Sequence, residues 1–313
     1  MLSASHANDM LIVMNYQNDF LIGGAMGKKD EGSNLVQQNT ATSNLMTLIQ
    51  TFKHDQVASV IYDRPENHIS FLSRHIKKNQ GNAEILTYLG ETFDPNDIKS
   101  VEIIYDKASL EERAYQKDVV KRMSYLEKDI PYDSATEVKE MNYLFPDNCI
   151  KDTEGNKIQN RVDEALDYVS QNGSGGVADY FIGTSKNIES LSLIYNSVGQ
   201  LNTNFINDLT HHRIKRVYLT GAFMEYTILN TALDLLNYDS TLEIFIIEDA
   251  SISFLEKDYV IENIKSQHPT IDFIVADQIL LEKTAETEND RSKWRNRRRR
   301  RRRLQARTSR RLL

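Results

Sequence analysis

Residues that could act as acids, bases, nucleophiles or metal ligands lie where four apolar runs of this sequence end. These polar segments are 15–20, 63–71, 182–186 and 221–227. They contain carboxylates, an imidazole, a lysine and several hydroxyls, whereas the only thiol of the sequence, that of Cys149, lies outside them. A hydroxyl or thiol needs a neighbouring base to attack a carbonyl, and zinc needs three or four ligands. Either chemistry therefore requires a fold that brings several segments together.

The apolar runs themselves have the length and composition of buried strands. They cover residues 11–16, 56–62, 177–182, 216–220, 242–247 and 271–275. Between strands, residues 44–53 and 228–236 carry apolar side chains at helical spacing. Strands that are apolar on both faces and alternate with helices predict a three-layer α/β fold with a doubly wound, mainly parallel sheet. In such a sheet ligands bind at the carboxyl ends of the strands, which is where the polar segments lie.

Residues 74–143 break this alternation because they are predominantly polar and charged. We interpret them as an insertion on the rim of the sheet, with a strand at 101–105 and an amphipathic helix at 110–126. The chain then divides into an α/β domain at residues 1–282, which contains the insertion, and a charged tail at 283–313. The tail is too polar to pack, so we expect it to be disordered.

The sequence also predicts the compartment of the protein. No run approaches the ~18 apolar residues that a membrane helix needs, and the first residues lack the charged-then-apolar pattern of a signal peptide. A single cysteine in 313 residues excludes an internal disulfide framework. We therefore expect an intracellular protein, cytoplasmic or nuclear, that is neither secreted nor bound to a membrane.

Five segments resemble, in chain order, the signature segments of nicotinamidases within the isochorismatase-like cysteine hydrolases. They are LIVMNYQNDF, DRPENHISF, LFPDNCIKDTEGNKI, FIGTSKNIESLS and VYLTGAFMEYTILNTALDLL. Together they span about residues 10–282 apart from the insertion, and their combination is more specific than any one of them. The resemblance implies the isochorismatase-like fold and a triad of an Asp base, a Lys and a Cys nucleophile. It also implies a metal, held by Asp and His, that binds the pyridine nitrogen of nicotinamide.

Matched residue by residue, this sequence lacks the triad that the resemblance implies. The base position is Asn15, the lysine position is Ile182 and the nucleophile position is Thr227. An amide cannot accept the proton, an aliphatic side chain carries no charge, and a hydroxyl is far less acidic than a thiol. Lys186 lies four residues beyond the lysine position, and a shift of this size in a loop changes the direction in which its side chain points. Thr227 is more simply explained as a residue that helps to start the helix at 228–236.

The metal site that the resemblance implies is also incomplete. Asp63 and His68 match two ligand positions, a middle His is deleted, and Asn148 stands where the last His is expected. Two ligands are fewer than a zinc site requires, and an Asp and a His in one loop more often share a hydrogen bond. We therefore expect no cofactor, while a metal at Asp63 and His68, with Glu66 as a third ligand, is left open.

Two further matched residues are assigned non-catalytic roles. Asp19 matches a family residue other than the base, and we expect it to fix the turn after the first strand. Cys149 stands where the family often has a cysteine that does not react, so we do not regard it as a displaced nucleophile.

The reactive groups are lost while the segments around them persist, and this selective loss favours a pseudoenzyme that serves as a structural or interaction module. Two alternatives stay open. One is a divergent amidase of the same fold with relocated catalytic groups, taken from Thr227, Glu225 and Lys186. The other is a small-molecule sensor that keeps the pocket and binds a ligand without converting it.

The net charge of −7 conceals two oppositely charged parts. From Arg291 onward the chain has one Lys and twelve Arg and no acidic residue, which leaves 25 basic against 45 acidic residues in 1–290, or −20. We expect this tail to bind nucleic acid through its phosphates, or an acidic protein surface, including the body of a second copy in a homo-oligomer. A nuclear-targeting or solubilising tail is the alternative. The residues that carry this prediction form an unbroken run: Arg297, Arg298, Arg299, Arg300, Arg301, Arg302 and Arg303.

Overall fold

A computed structural model describes eleven parts of the chain: residues 8–27, 32–52, 56–71, 75–79, 82–85, 92–93, 101–103, 142–143, 145–172, 177–196 and 199–284. The strands in chain order are β1 (Asp9–Met14), β2 (Val57–Tyr62), β3 (His75–Asn79), β4 (Asn82–Ile85), β5 (Thr92–Phe93), β6 (Val101–Ile103), β7 (Asn142–Tyr143), β8 (Ala178–Ile182), β9 (Arg216–Ala222), β10 (Glu243–Ile252) and β11 (Ile271–Ile274). The helices are α1 (Gly32–Thr51), α2 (Asn160–Asn172), α3 (Thr203–His211), α4 (Leu229–Tyr238), α5 (Lys257–Gln267) and α6 (276–284).

Six parallel strands form the central sheet, in the order β11-β10-β9-β1-β2-β8, and helices flank it. The chain adds β2 and β8 on one side of β1 and then returns to place β9 on the other side. This reversal creates a topological switch point between β1 and β9, at whose carboxyl ends a ligand crevice is expected. The predicted three-layer, doubly wound α/β fold is therefore confirmed.

The two central strands explain why the apolar runs were recognisable in the sequence. Every residue of β1 and β9 is buried, because helices cover both faces of the sheet. The strands also approach each other closely at Gly221, which has φ +122°. A Cβ atom at this position would lie 1.9 Å from the carbonyl oxygen of Met14, so only glycine fits there.

A buried charge cluster holds the opposite, amino-terminal end of the sheet. Both carboxylate oxygens of Asp9 accept hydrogen bonds from Arg216, each at 2.8 Å, and Oδ2 also accepts one from Lys283 Nζ at 2.8 Å. Lys283 lies in α6, which runs two residues beyond the domain boundary expected at 282, and its ammonium group lies 4.2 Å from the centre of the Phe52 ring. The last described helix is thus anchored to β1 and β9.

The described strands of the expected insertion do not join the central sheet. β4, β3 and β6 form a small antiparallel sheet, and β5 pairs with β7. Phe71 and Phe145, which flank the insertion in the main domain, are joined to each other by an isolated parallel β-bridge. The strand expected at 101–105 is present as β6, whereas the helix expected at 110–126 lies outside the described residues, as does the arginine run.

Three elements differ in extent from the sequence-based prediction. The helix expected at 44–53 is the second half of α1, whose first half is too polar to show an apolar period. The strand expected at 242–247 continues to Ile252, because a bulge between Ile246 and Ser251 restores its pairing with β9. The helix expected at 228–236 is preceded by a π-helical turn at Met224–Ile228.

Within the described parts of the chain, none of the helices has both the length and the hydropathy of a membrane span.

Candidate functional site

A cleft opens at the carboxyl ends of the central strands. Five aromatic rings, two aliphatic side chains and three polar residues line it: Phe20, Met26, Tyr62, Arg64, Phe145, Asn148, Leu191, Phe223, Tyr226 and Thr227. The strand ends and the loops that follow them supply most of these residues, as expected for a ligand site in an open α/β sheet. Of the residues singled out from the sequence, the cleft brings Asn148 and Thr227 together.

Asn15, the expected base position, directly follows β1 and is fully buried. Its backbone has φ +49°, a left-handed conformation that asparagine tolerates better than most residues, and its N–H donates to the carbonyl of Val60 at 2.8 Å. Within the described parts of the chain, neither polar atom of its side chain makes a hydrogen bond. Asn15 is not among the residues that line the cleft.

Ile182, the expected lysine position, ends β8 as a buried aliphatic side chain. Its carbonyl accepts the backbone N–H of Asp63 at 3.0 Å. Gly183 follows with φ +68° and packs so closely that a Cβ atom there would lie 3.0 Å from the ring of Tyr62. Lys186 does not line the cleft, and its backbone carbonyl accepts the N–H of Ile69 at 2.9 Å.

Thr227, the expected nucleophile position, lines the cleft from the π-helical turn and is 2% exposed. Its hydroxyl lies 3.3 Å from the hydroxyl of Tyr62, which also donates to the carbonyl of Ser190 at 2.8 Å. Burial raises the pKa of Tyr62, so its hydroxyl stays protonated at neutral pH and cannot act as a base. Thr227 precedes α4 but does not cap it, since no side chain caps that helix.

Glu225, which the amidase alternative invokes, has a positional role in the same turn. Its Oε1 accepts the backbone N–H of Leu255 at 2.7 Å, which fixes the turn at 224–228 to the loop after β10. Glu225 is buried and does not line the cleft. Glu225 and Lys186, the two charged side chains that the amidase alternative invokes, are therefore not among the residues that line the cleft with Thr227.

The charged centre of the cleft is Arg64, which is 2% exposed. Its Nη1 donates to Oδ1 of Asn148 and its Nη2 donates to Oε2 of Glu189 at 2.9 Å. The guanidinium carbon lies 3.8 Å from the centre of the Tyr62 ring, a cation–π geometry. His68 completes the cluster, because its Nδ1 lies 3.8 Å from the same carboxylate oxygen of Glu189.

Burial and charge fix the protonation states of this cluster. Burial is the largest influence on Glu189 and opposes its ionisation, but the charges of Arg64 and His68 and the hydrogen bonds to the carboxylate together outweigh it and lower the pKa of that carboxyl. Burial is also the largest influence on Arg64 and opposes its charge, but Glu189 together with the other polar neighbours outweighs it and raises the pKa of the guanidinium. Burial lowers the pKa of His68 to about 4. At neutral pH the cluster therefore holds one cation, one anion and a neutral imidazole.

The residues at the expected metal positions do not fit a metal ion. The carboxylate of Asp63 pairs with Lys151 at 3.2 Å, and Asn148 is bound to Arg64. Both nitrogens of His68 have partners, the hydroxyl of Ser70 at 2.8 Å and the carbonyl of Ile188 at 3.2 Å. Within the described residues, no three His, Cys, Asp or Glu side chains cluster as metal ligands.

Asp19 has the structural role that the sequence predicted. Its Oδ2 accepts the backbone N–H of Cys149 at 2.6 Å and its Oδ1 accepts that of Ala25 at 3.2 Å, so it ties the turn after β1 to the segment around Cys149. Cys149 itself is fully buried, and burial raises the pKa of its thiol well above the ordinary value. A buried, protonated thiol is a poor nucleophile, as the sequence analysis supposed.

Sequence reasoning missed the residues that dominate the cleft. Arg64 lies in the second signature segment and Glu189 in the fourth, and neither was assigned a role from the sequence. The available signal was that an Arg and a Glu lie in segments otherwise matched to a buried site, where unpaired charges are rarely tolerated. That signal did not reveal that the two residues pair with each other.

Comparison with known proteins places the fold. No protein-family model matches the sequence, and no curated protein sequence matches it. Among solved structures, a nicotinamidase/pyrazinamidase from Acinetobacter baumanii is similar with a TM-score of 0.56 and 18% identity, over 87% of this chain and 98% of that chain. The yeast nicotinamidase Pnc1p has a TM-score of 0.55 and 16% identity, over 85% of this chain and 99% of that one.

A third similar structure, PnC1 from L. infantum in complex with nicotinate, has a TM-score of 0.52 and 12% identity, and the match covers 88% of this chain and 96% of that chain. Identities this low establish the architecture alone, because one fold carries many functions. The sheet order, the cleft at the strand ends and these structural matches agree with the resemblance found in the sequence. The chain has the isochorismatase-like α/β fold of the nicotinamidases.

Proposed function

We propose that this protein is a nicotinamidase-like pseudoenzyme, without hydrolase activity, that serves as an interaction module. The observation that carries the proposal is the surroundings of Thr227. The only hydroxyl at the nucleophile position has the protonated phenol of Tyr62 as its polar neighbour at 3.3 Å, and the base position holds the amide of Asn15. A threonine needs a base to remove its proton before it can attack an amide, and these two groups cannot serve.

The loss of activity can be tested directly. Purified full-length protein should release no ammonia from nicotinamide or pyrazinamide above the buffer rate, with and without added zinc or iron. A Thr227→Val variant, which has the same shape without the hydroxyl, is the matched control. Ammonia release that scales with the amount of protein and is lost in Thr227→Val would contradict the proposal.

We propose that the arginine tail is the interacting part and that its partner is a nucleic acid. Thirteen positive charges without an acidic residue from Arg291 onward support electrostatic binding to phosphates, with release of condensed counterions. Little base readout is expected, because such contacts go to the backbone. An acidic protein surface is the competing partner, and the −20 charge of residues 1–290 makes a second copy the simplest example.

Truncation separates the tail from the domain. A chain that ends at Asp290 keeps α6 and the buried Lys283, so the domain should stay folded. Binding of this chain and of the full chain to random DNA and RNA is then compared across a salt titration. We expect the full chain to bind with an affinity that falls steeply with salt and the truncated chain to lose binding. Equal affinities of the two chains would contradict this role of the tail.

A small-molecule sensor is the second candidate, and one feature of the cleft favours it. Arg64 lines the cleft, and among the described residues its buried Nε–H has no hydrogen-bond partner. Unpartnered buried donors are uncommon, and an acceptor atom on a flat ligand between the aromatic rings would satisfy this one. Benzamide should then raise the melting temperature of the protein more than toluene, which has the same ring without an acceptor. Equal effects of the two compounds would argue against a specific ligand.

A further inference from the structure

Arg64 stands among the residues that the family resemblance assigns to a metal. Asn148, at one of those positions, accepts a hydrogen bond from Nη1 of Arg64. Glu189 accepts another from Nη2 at 2.9 Å, and the same Glu189 oxygen lies 3.8 Å from Nδ1 of His68, at a second of those positions. The guanidinium therefore lies at the junction of the side chains that would otherwise face an ion.

We propose that the guanidinium of Arg64 takes the place of the metal ion and makes this a metal-independent cleft with a fixed organic cation. A planar guanidinium supplies one positive charge and several donors, so it satisfies the oxygens of Asn148 and Glu189 as a metal ion would. The inference concerns the cleft of the proposed pseudoenzyme, but it does not depend on whether that cleft hydrolyses an amide.

Three features make a divalent ion and Arg64 mutually exclusive here. The Arg64 and Glu189 side chains are 2% and 0% exposed and lie 2.9 Å apart, so the guanidinium already occupies the cation position on this carboxylate. The Tyr62 ring holds the guanidinium from one face at 3.8 Å. His68 is engaged at both nitrogens, so it has no lone pair left for an ion unless its present hydrogen bonds are broken.

The first test uses the intact protein. Full-length protein, purified without chelator, should contain no stoichiometric zinc, iron, manganese or cobalt, and its melting temperature should not change when EDTA or zinc is added. Zinc bound at one equivalent, with a melting temperature that falls in EDTA, would overturn the proposal.

The second test removes the cation and returns it as a small molecule. Arg64→Ala should lower the melting temperature, and millimolar methylguanidinium should raise that of the variant by at least about 2 °C. N-methylurea, which has nearly the same shape but no charge, should not raise the melting temperature of this variant. Neither compound should raise the melting temperature of wild type or of Arg161→Ala, a control variant at an exposed position. A variant as stable as wild type, or rescued equally by both compounds, would show that no cation is needed.

The third test rebuilds a metal site. Arg64→Ala/Asn148→His restores a histidine at the last expected position and removes the guanidinium from Glu189, so that cobalt has only to displace the hydrogen bonds of His68. This variant should bind Co²⁺ with visible absorption bands, whereas wild type should show none. If Arg64→Ala does not fold, Arg64→Lys/Asn148→His is the comparison, and it should stay without cobalt bands because the cation is retained. Equal cobalt binding by wild type would overturn the proposal, whatever the amidase assay shows.

Discussion

Arg64 and Glu189 form a buried ion pair, with 2.9 Å between Nη2 and Oε2 and side chains that are 2% and 0% exposed. The two residues are 125 positions apart in the chain. Each charge alone would be costly to bury, and the pair is supported by Asn148 and Tyr62 around the guanidinium and by the backbone N–H of Ser190 on the carboxylate. Through Arg64, which lines the cleft, this pair places a positive charge among walls that are mainly aromatic.

Removing one member of this pair should be more harmful than removing both. Arg64→Met leaves the Glu189 carboxylate buried without its partner and should cost about 3–5 kcal/mol of the free energy of unfolding. Arg64→Met/Glu189→Leu removes both charges and should be more stable than Arg64→Met alone. Urea denaturation of wild type, both single variants and the double variant measures the coupling. Strictly additive effects would show that the pair does not act as a unit.

Stability should fall on the acid side because His68 is buried as a neutral group. Its pKa in the folded protein is about 4, compared with about 6.5 in an unfolded chain. Between these pH values the unfolded chain binds a proton that the folded chain does not, so the free energy of unfolding should drop by roughly 3 kcal/mol as the pH falls through this window. Glu189 and Arg64 face His68, and the lowered pKa of Glu189 and the raised pKa of Arg64 favour their charged forms.

The control for the pH effect is a histidine on the surface. His68→Gln should flatten the dependence of the unfolding free energy on pH between about 6.5 and 4, whereas His211→Gln, at an exposed position, should leave it as in wild type. Urea melts at a series of pH values measure both. An unchanged slope in His68→Gln would mean that other groups cause the acid sensitivity.

Gly221 should tolerate no side chain, and Gly199 provides the matched comparison. Both have positive φ, +122° and +76°, so alanine is strained at either position. A Cβ at Gly221 would meet the Met14 carbonyl oxygen at 1.9 Å, whereas nothing lies within 4 Å of one at Gly199. Gly199→Ala should cost about 1 kcal/mol, and Gly221→Ala should separate β1 from β9 and abolish folding or lower the melting temperature far more. Similar melting temperatures for the two variants would contradict the close strand contact.

Lys283 should stabilise the domain although it lies next to the polar tail. Lys283→Met keeps the aliphatic stem over Phe52 but removes the charge that is 2.8 Å from Asp9, leaving Arg216 as its partner. We expect a loss of about 1–3 kcal/mol for a buried hydrogen bond to a charged group. Lys215→Met, at an exposed position, is the control and should change the stability by less than about 0.5 kcal/mol. Equal stabilities of the two variants would mean that α6 does not depend on this contact.

The sequence alone determined the α/β architecture and the absence of the catalytic triad that the family resemblance implies. Continuous apolar runs in β1 and β9 predicted strands buried on both faces, because that pattern is imposed locally by the sheet. The absence of an acid at Asn15, an ammonium at Ile182 and a thiol at Thr227 is a property of the residue types and needs no coordinates. The contact of Asp19 with Ala25, six positions away, belongs to a local turn and was predictable, whereas its contact with Cys149, 130 positions away, was not.

Only the tertiary structure showed which charged side chains pair with each other inside the protein. Arg64 meets Asn148 across 84 positions and Glu189 across 125, and Lys283 meets Asp9 across 274. Such pairings depend on how the sheet and its loops pack, and no periodicity or short motif encodes them. A buried charge is compatible with the fold only when a distant partner neutralises it, so the partner is fixed by folding and could not be read from either segment alone.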